Sequence, residues 1–132
     1  MLNRKTAAIL FIFLAASYFT VTDTNCWSKM NWIDIPLHFI GGIFSGLVFF
    51  LVFKKSLKNK TASFILIAVL SGAVAFGVFW EFFEWFLDYY YPNALKHQPN
   101  LNDTMADLAL DLLGGLVVAA AVFKKVYNKN KQ

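Results

Sequence analysis

Long apolar stretches separated by short polar knots set the pattern of the chain. Residues 6–22 (TAAILFIFLAASYFTVT) carry no charge, and 33–53 (IDIPLHFIGGIFSGLVFFLVF) carry one acid and one histidine near their start. A third stretch, 61–88, closes in WEFFEWFLD, and a fourth covers 104–123 (TMADLALDLLGGLVVAAAVF). A helix needs about 20 mostly apolar residues to cross roughly 30 Å of hydrocarbon. The pattern therefore predicts an all-α integral membrane protein: one transmembrane domain over 1–132, built as a four-helix bundle. The first run also fits a secretory signal, with Arg4 and Lys5 ahead of it and Ala15-Ala16-Ser17 behind. No convincing A-x-A site follows, so an uncleaved span is the favoured reading.

The basic residues orient these spans. Arg4 and Lys5 precede the first. Lys54, Lys55, Lys58 and Lys60 lie between the second and third, and Lys124, Lys125, Lys129 and Lys131 follow the fourth. Of the twelve basic residues, Lys29 and Lys96 alone fall on the other side. The positive-inside rule then predicts both termini in the cytoplasm.

Composition sharpens the picture. Hydrophobic residues make up 58% of the chain and charged ones 15%, against about 45–50% and about 25% in soluble domains. A soluble fold of 132 residues cannot hide that much apolar surface. The net charge of +4 does not point to nucleic acid, because the lysines sit at span ends and topology explains them. Cys26 is the one cysteine; it forms no intrachain disulfide and reads as a lone thiol.

The acids need a separate explanation. Asp23, Asp34, Glu81, Glu84, Asp88, Asp103, Asp107 and Asp111 are all eight of them, and each falls in an outer loop or the outer half of a span. Acids contribute little to the orientation rule. At about 1.5 Å per residue, His38 stands about 24 Å above Lys54, Asp107 about 26 Å above Lys124 and Glu81 roughly 32 Å above Lys60. They form one layer. On a helical wheel Asp34, His38, Gly41 and Ser45 share a stripe, as do Ala73, Gly77, Glu81, Glu84 and Asp88, and as do Asp103, Asp107, Asp111 and Gly114. Each polar stripe runs onto small residues. Gly42-x-x-x-Gly46 and Ala73-x-x-x-Gly77 have the spacing that lets membrane helices approach closely. The acids are therefore expected to point into a bundle of the second, third and fourth spans, with the first at the periphery.

His38, Glu81, Glu84, Asp107 and Asp111 are the candidate metal ligands, with Asp34 and Asp103 as further candidates. With no Arg or Lys inside the spans, crowded carboxylates must hold protons, bind a cation or open to water. An oxygen-rich set with one imidazole suits a divalent ion: Mg²⁺, Mn²⁺, Ca²⁺ or Zn²⁺. Each residue also has a structural reading. Thr104 to Asp107 spells a capping box, and Asp103 can cap the fourth helix. Glu81, Glu84 and Asp88 are interleaved with Trp80, Trp85 and Tyr89–Tyr91, an interfacial aromatic belt in which Asp88 above all reads as solvated. Asp34 ahead of Pro36 marks a helix start. His38 can be a packed histidine on a backbone carbonyl.

Three blocks at these positions resemble the YjdF-like family of small bacterial inner-membrane proteins. They are Asp34-Ile35-Pro36-Leu37-His38-Phe39 followed by Gly41-Gly42, then Glu81-Phe82-Phe83-Glu84-Trp85, and the ladder Asp103, Asp107, Asp111 running into Gly114-Gly115. VanZ-like proteins share a looser version. The likeness covers residues 30–120 and implies a multi-pass protein of the bacterial inner membrane. It supplies no reaction. With four spans where that family tends to have more, the chain reads as a reduced or separate branch.

Three function classes stay open. An enzyme here would be a metal-dependent hydrolase or transferase acting on a lipid-linked substrate near the outer leaflet. The absence of Arg from the spans lowers a phosphotransferase reading. A proton- or cation-coupled transport component would use the acids as ion sites, though transporters favour midplane sites, and a path through so small a subunit suggests a homo-oligomer. A structural or accessory protein would use the cluster to fix helix packing.

Overall fold

Helix starts and stops follow local chemistry. The computed structural model describes residues 2–23, 31–91 and 97–129. Among these residues are four helices, α1 (Arg4–Asp23), α2 (Asp34–Leu57), α3 (Ala62–Tyr90) and α4 (Leu101–Lys129), with a 3-10 turn, Asn31–Ile33, ahead of α2. No strand occurs among the described residues. Cys26, Lys29 and Lys96 lie outside the described residues, as does the Asp23 side chain.

In α2 the acid Asp34 occupies the first turn and Lys54 and Lys55 the last, the arrangement that complements the helix dipole. Pro36 is tolerated there because a first-turn residue has no intrahelical N–H bond to lose. Thr61 caps α3, its hydroxyl accepting the Phe64 N–H at 3.3 Å. Tyr91 closes the same helix, its N–H donating to the Leu87 carbonyl. The next residue, Pro92, cannot continue a helix. The start of α4 departs from expectation. The helix begins at Leu101, because the Asn100 side-chain oxygen accepts the N–H groups of Asn102 (2.9 Å) and Asp103 (3.2 Å). Asn100 is the cap, so the Thr104–Asp107 capping box does not form, and Asp107 lies nearly two turns inside the helix.

Three of the helices, Asp34–Leu57, Ala62–Tyr90 and Leu101–Lys125, are long and apolar enough to cross a membrane. In none is more than 39% of the apolar window buried, so most of that surface faces outward, the inverse of a soluble fold. α1 carries the fourth apolar run. It lies along α2 and reaches α3 where the Tyr18 ring meets the edge of Trp80 at 5.7 Å.

The bundle alternates in direction and α4 is its hub, packed against α2 and α3. Glycines set the approach. A Cβ on Gly42 would strike the Asp111 backbone carbonyl, and one on Gly114 the Phe39 carbonyl and the Ile43 nitrogen. A Cβ on Gly115 would stand 2.6 Å from that of Ala73. Toward the lysine end the helices close over an apolar core of Leu47, Leu57, Ile65, Val69, Val118, Ala119 and Val122. Among the described residues, the buried ionisable groups all lie in the opposite half.

At that end the connection into α4 is tied to α3. Asp88 is not the solvated side chain expected of an aromatic belt. Its Oδ1 accepts the His97 N–H (2.8 Å) and faces His97 Nδ1 (3.0 Å), and its Oδ2 accepts the Gln98 N–H (2.9 Å). A carboxylate that accepts two backbone donors fixes the path of the chain. Its neighbours Trp85, Tyr89, Tyr90 and Tyr91 do face outward, as a belt requires.

Two outcomes follow from this packing. Gly42→Ala forces backbone apart and costs about 1–3 kcal/mol, read as earlier unfolding in a denaturant titration of the protein in detergent. Gly46→Ala meets only ordinary contacts at 3.5 Å and is neutral or stabilising by up to about 1 kcal/mol; equal losses in both would refute the close-approach account. Asp88→Ala strands two backbone donors and costs about 1–3 kcal/mol. Hydrogen exchange should then quicken at the His97 and Gln98 amides, while helix content stays at the wild-type level.

Candidate metal centre

Each helix delivers its polar residues at helical spacing. Asp34 and His38 are one turn apart at the start of α2, Glu81 and Glu84 are one turn apart near the end of α3, and Asp107 and Asp111 are one turn apart in α4. Because α2 and α4 run in parallel and α3 runs against them, all three pairs reach one level. His38, Glu81, Glu84, Asp107 and Asp111 are each at most 6% exposed.

The imidazole of His38 is the centre of the group. Its Nε2 lies 3.5 Å from Asp34 Oδ1, 4.0 Å from Glu81 Oε1 and 4.0 Å from Asp107 Oδ1. Its Nδ1 lies 3.3 Å from Asp111 Oδ2. Asp111 therefore stands on the other edge of the ring from Asp34, Glu81 and Asp107, in a position to orient the imidazole rather than to share an ion with Nε2. A Cβ on Gly77 would strike the Asp111 carboxylate, and one on Gly41 would stand 3.5 Å from it. Gly77 makes the room that this side chain fills, and the Gly41 distance is an ordinary contact.

The carboxylates are partnered unequally. Glu84, 1% exposed, accepts the Trp80 indole N–H at 2.9 Å. Glu81 accepts the Gln98 amide on Oε2 at 2.6 Å, and the same amide donates to the Glu81 backbone carbonyl at 2.9 Å. Its second oxygen, Oε1, is buried with no hydrogen-bond partner. A buried acceptor left open is expensive, and in a native protein it calls for an explanation such as an ion. No Lys or Arg pairs with any of these acids among the described residues.

Two sets of three can hold a metal ion: Asp34, His38 and Asp107, and His38, Glu81 and Glu84. Within each, one ligand atom per residue lies within 4.8 Å of the others. Asp103 belongs to neither set; it sits half-buried on the first turn of α4. Sequence reasoning passed over Gln98 and the polar role of Trp80. Trp80 precedes Glu84 by one helical turn, a spacing that brings two side chains together. Gln98 lies in a connection without periodicity and gave no such signal.

Comparison with known proteins agrees with the fold. Over residues 2–129 the chain matches the family described as "Predicted membrane protein (DUF2238)". A protein of Thermotoga maritima, described as "Uncharacterized protein", is 33% identical over 103 residues, covering 76% of this chain and 53% of that one. The chain thus spans about half the length of this relative. No solved structure matches it. Neither description carries the YjdF or VanZ name. A match across nearly its whole length, joined to helices whose apolar faces turn outward, makes this chain a member of the DUF2238 family of membrane proteins.

Proposed function

We propose that this membrane protein holds one divalent cation between His38 Nε2 and the carboxylates of Asp34, Asp107, Glu81 and Glu84, and works through it. The observation that carries the reading is Glu81 Oε1, buried, without a hydrogen-bond partner, and aimed at His38 Nε2 from 4.0 Å. A purely structural network would satisfy that oxygen, since half-satisfied buried networks are unfavourable. A transport path is disfavoured by the apolar plug of Leu47, Val69, Val118 and Val122 that closes the lysine end, because ion pathways are lined by polar groups.

In this reading Asp111 is a positioning residue. The His38 Nδ1–H donated to it leaves Nε2 with its lone pair toward the ion, the carboxylate–histidine–metal arrangement. Mostly oxygen ligands with one imidazole suit Mg²⁺, Mn²⁺, Ca²⁺ or Zn²⁺. Bound there, such an ion activates water or polarises an ester or phosphoryl oxygen, the chemistry of a metal-dependent hydrolase or transferase. With the lysine end in the cytoplasm, the centre stands beneath the outer surface of a bacterial inner membrane, within reach of a lipid-linked substrate. The YjdF-like pattern of residues 30–120 supports this location.

Metal content of detergent-purified protein tests the proposal. Wild type should carry about one divalent ion per chain, and Asp107→Asn or Glu81→Gln should lose it with helical circular dichroism intact. Asp111→Asn should weaken affinity by about 10–100-fold. With free metal near 100 times Kd, a chelator should remove roughly 2.7 kcal/mol of stability. Metal-free wild type that a chelator does not destabilise would end the proposal.

A further inference from the structure

A cavity of about 330 Å³ opens between α1, α2 and α3, and Asp34, His38 and Asp111 form part of its wall. The rest of the lining is hydrocarbon and aromatic. Two levels can be told apart. At the lower one Phe11, Phe44 and Phe76 meet ring to ring, Phe11 on Phe44 at 6.0 Å and Phe44 on Phe76 at 6.3 Å. At the upper one, beside the carboxylates, Tyr18 packs on Trp80 at 5.7 Å and Trp80 on Phe83 at 5.5 Å. The space is apolar at one end and lined by acids and electron-rich rings at the other.

We infer that this cavity binds a single-chain amphiphile with an ammonium head, its tail among Phe11, Phe44 and Phe76 and its head between Asp34, Asp111 and Trp80. Charge complementarity selects the head. Carboxylates and aromatic faces are the two groups that attract an alkylammonium. The one imidazole on this wall, His38, faces both acids, at 3.5 Å from Asp34 and 3.3 Å from Asp111. Two carboxylates thus stand against at most one positive charge, and no described Lys or Arg adds another. An anionic head would meet like charge. Size selects the tail: a methylene is about as bulky as a water molecule, so at roughly 30 Å³ each the cavity takes on the order of ten carbons, one chain and not two. Filling it also covers apolar wall that α1 and α2 leave between them. Asp34 is also a ligand of the proposed ion site, so the ammonium head and the divalent ion compete for that carboxylate, while the tail contacts need no ion.

Binding of octyltrimethylammonium and of octyl phosphate to full-length protein in dodecyl maltoside, followed by calorimetry, decides the matter. Both are titrated into chelator-stripped and metal-reloaded protein, so that loss of the ion and loss of the amphiphile are read separately. The cationic compound should bind saturably to the chelator-stripped protein, at least about tenfold tighter than the anionic one, and more weakly once the ion is restored. Ala15→Trp, which fills the cavity from α1, should abolish saturable binding while leaving metal content unchanged; Leu14→Trp on the same wall replaces it if that variant misfolds. Equal affinity for the two heads would mean that ordinary lipid tails fill the space, and would overturn the inference. So would the absence of saturable binding, or wild-type affinity in the filled variants.

Discussion

One imidazole faces four carboxylates and is backed by a fifth, deep in a membrane protein and without a basic side chain among the described residues to balance them. Everything else about the half of the bundle opposite the lysine end answers to that constraint. Carboxylates this close in low dielectric repel one another and cannot all be ionised alone. Part of the balance comes from the backbone. α2 starts at this level, so the positive end of its helix dipole lies beside Asp34. The opposing end of α3 works the other way, which leaves an excess of negative charge for a cation to neutralise.

The same constraint explains the glycines. Helices in lipid gain nothing from hiding apolar surface from water, so they associate through close packing and hydrogen bonds. Gly42, Gly114 and Gly115 bring α2 and α3 against α4 closely enough for side chains on all three to share one centre. Gly77 then leaves the space that the Asp111 carboxylate enters. Larger residues at these positions would separate the helices and pull the carboxylates away from His38. Packing and polarity are therefore one design: the backbone contact is tightest where the charges meet, and the plain apolar core lies below it.

Much of this was legible in the sequence, for physical reasons that apply residue by residue. The spans follow from hydropathy because each backbone group in lipid must bond within its own helix. The shared depth of His38, Glu81 and Asp107 follows from a constant rise per residue, and their common facing from the wheel. What stayed hidden depends on chain segments without periodicity. Asn100 takes the cap expected of Thr104 or Asp103, because its side chain, just before the helix, accepts the first N–H groups. Asp88 looked solvated because nothing in its own helix shows that the backbone of residues 97–98 returns to it. Depth and facing also cannot say which edge of the imidazole an acid will meet, and so Asp111 read as a ligand equal to Asp107 although the two stand at opposite nitrogens.

That distinction gives His38 a double position. Through Nδ1 it contacts Asp111, which is locked among glycines, and through Nε2 it faces the acids of the proposed ion site. Its ring and both flanking acids, Asp34 and Asp111, also line the apolar cavity. A group entering that cavity with its polar end upward arrives at the imidazole before it reaches Glu81 or Asp107, neither of which lines the space. The cavity is thus an approach to the centre from the side of α1, whose apolar outer face borders lipid if it spans the membrane. A peripheral first helix follows from this arrangement: a helix carrying a charge there would compete for the carboxylates, whereas one built of Phe, Leu, Ala and Tyr walls the approach and leaves the acids to whatever enters.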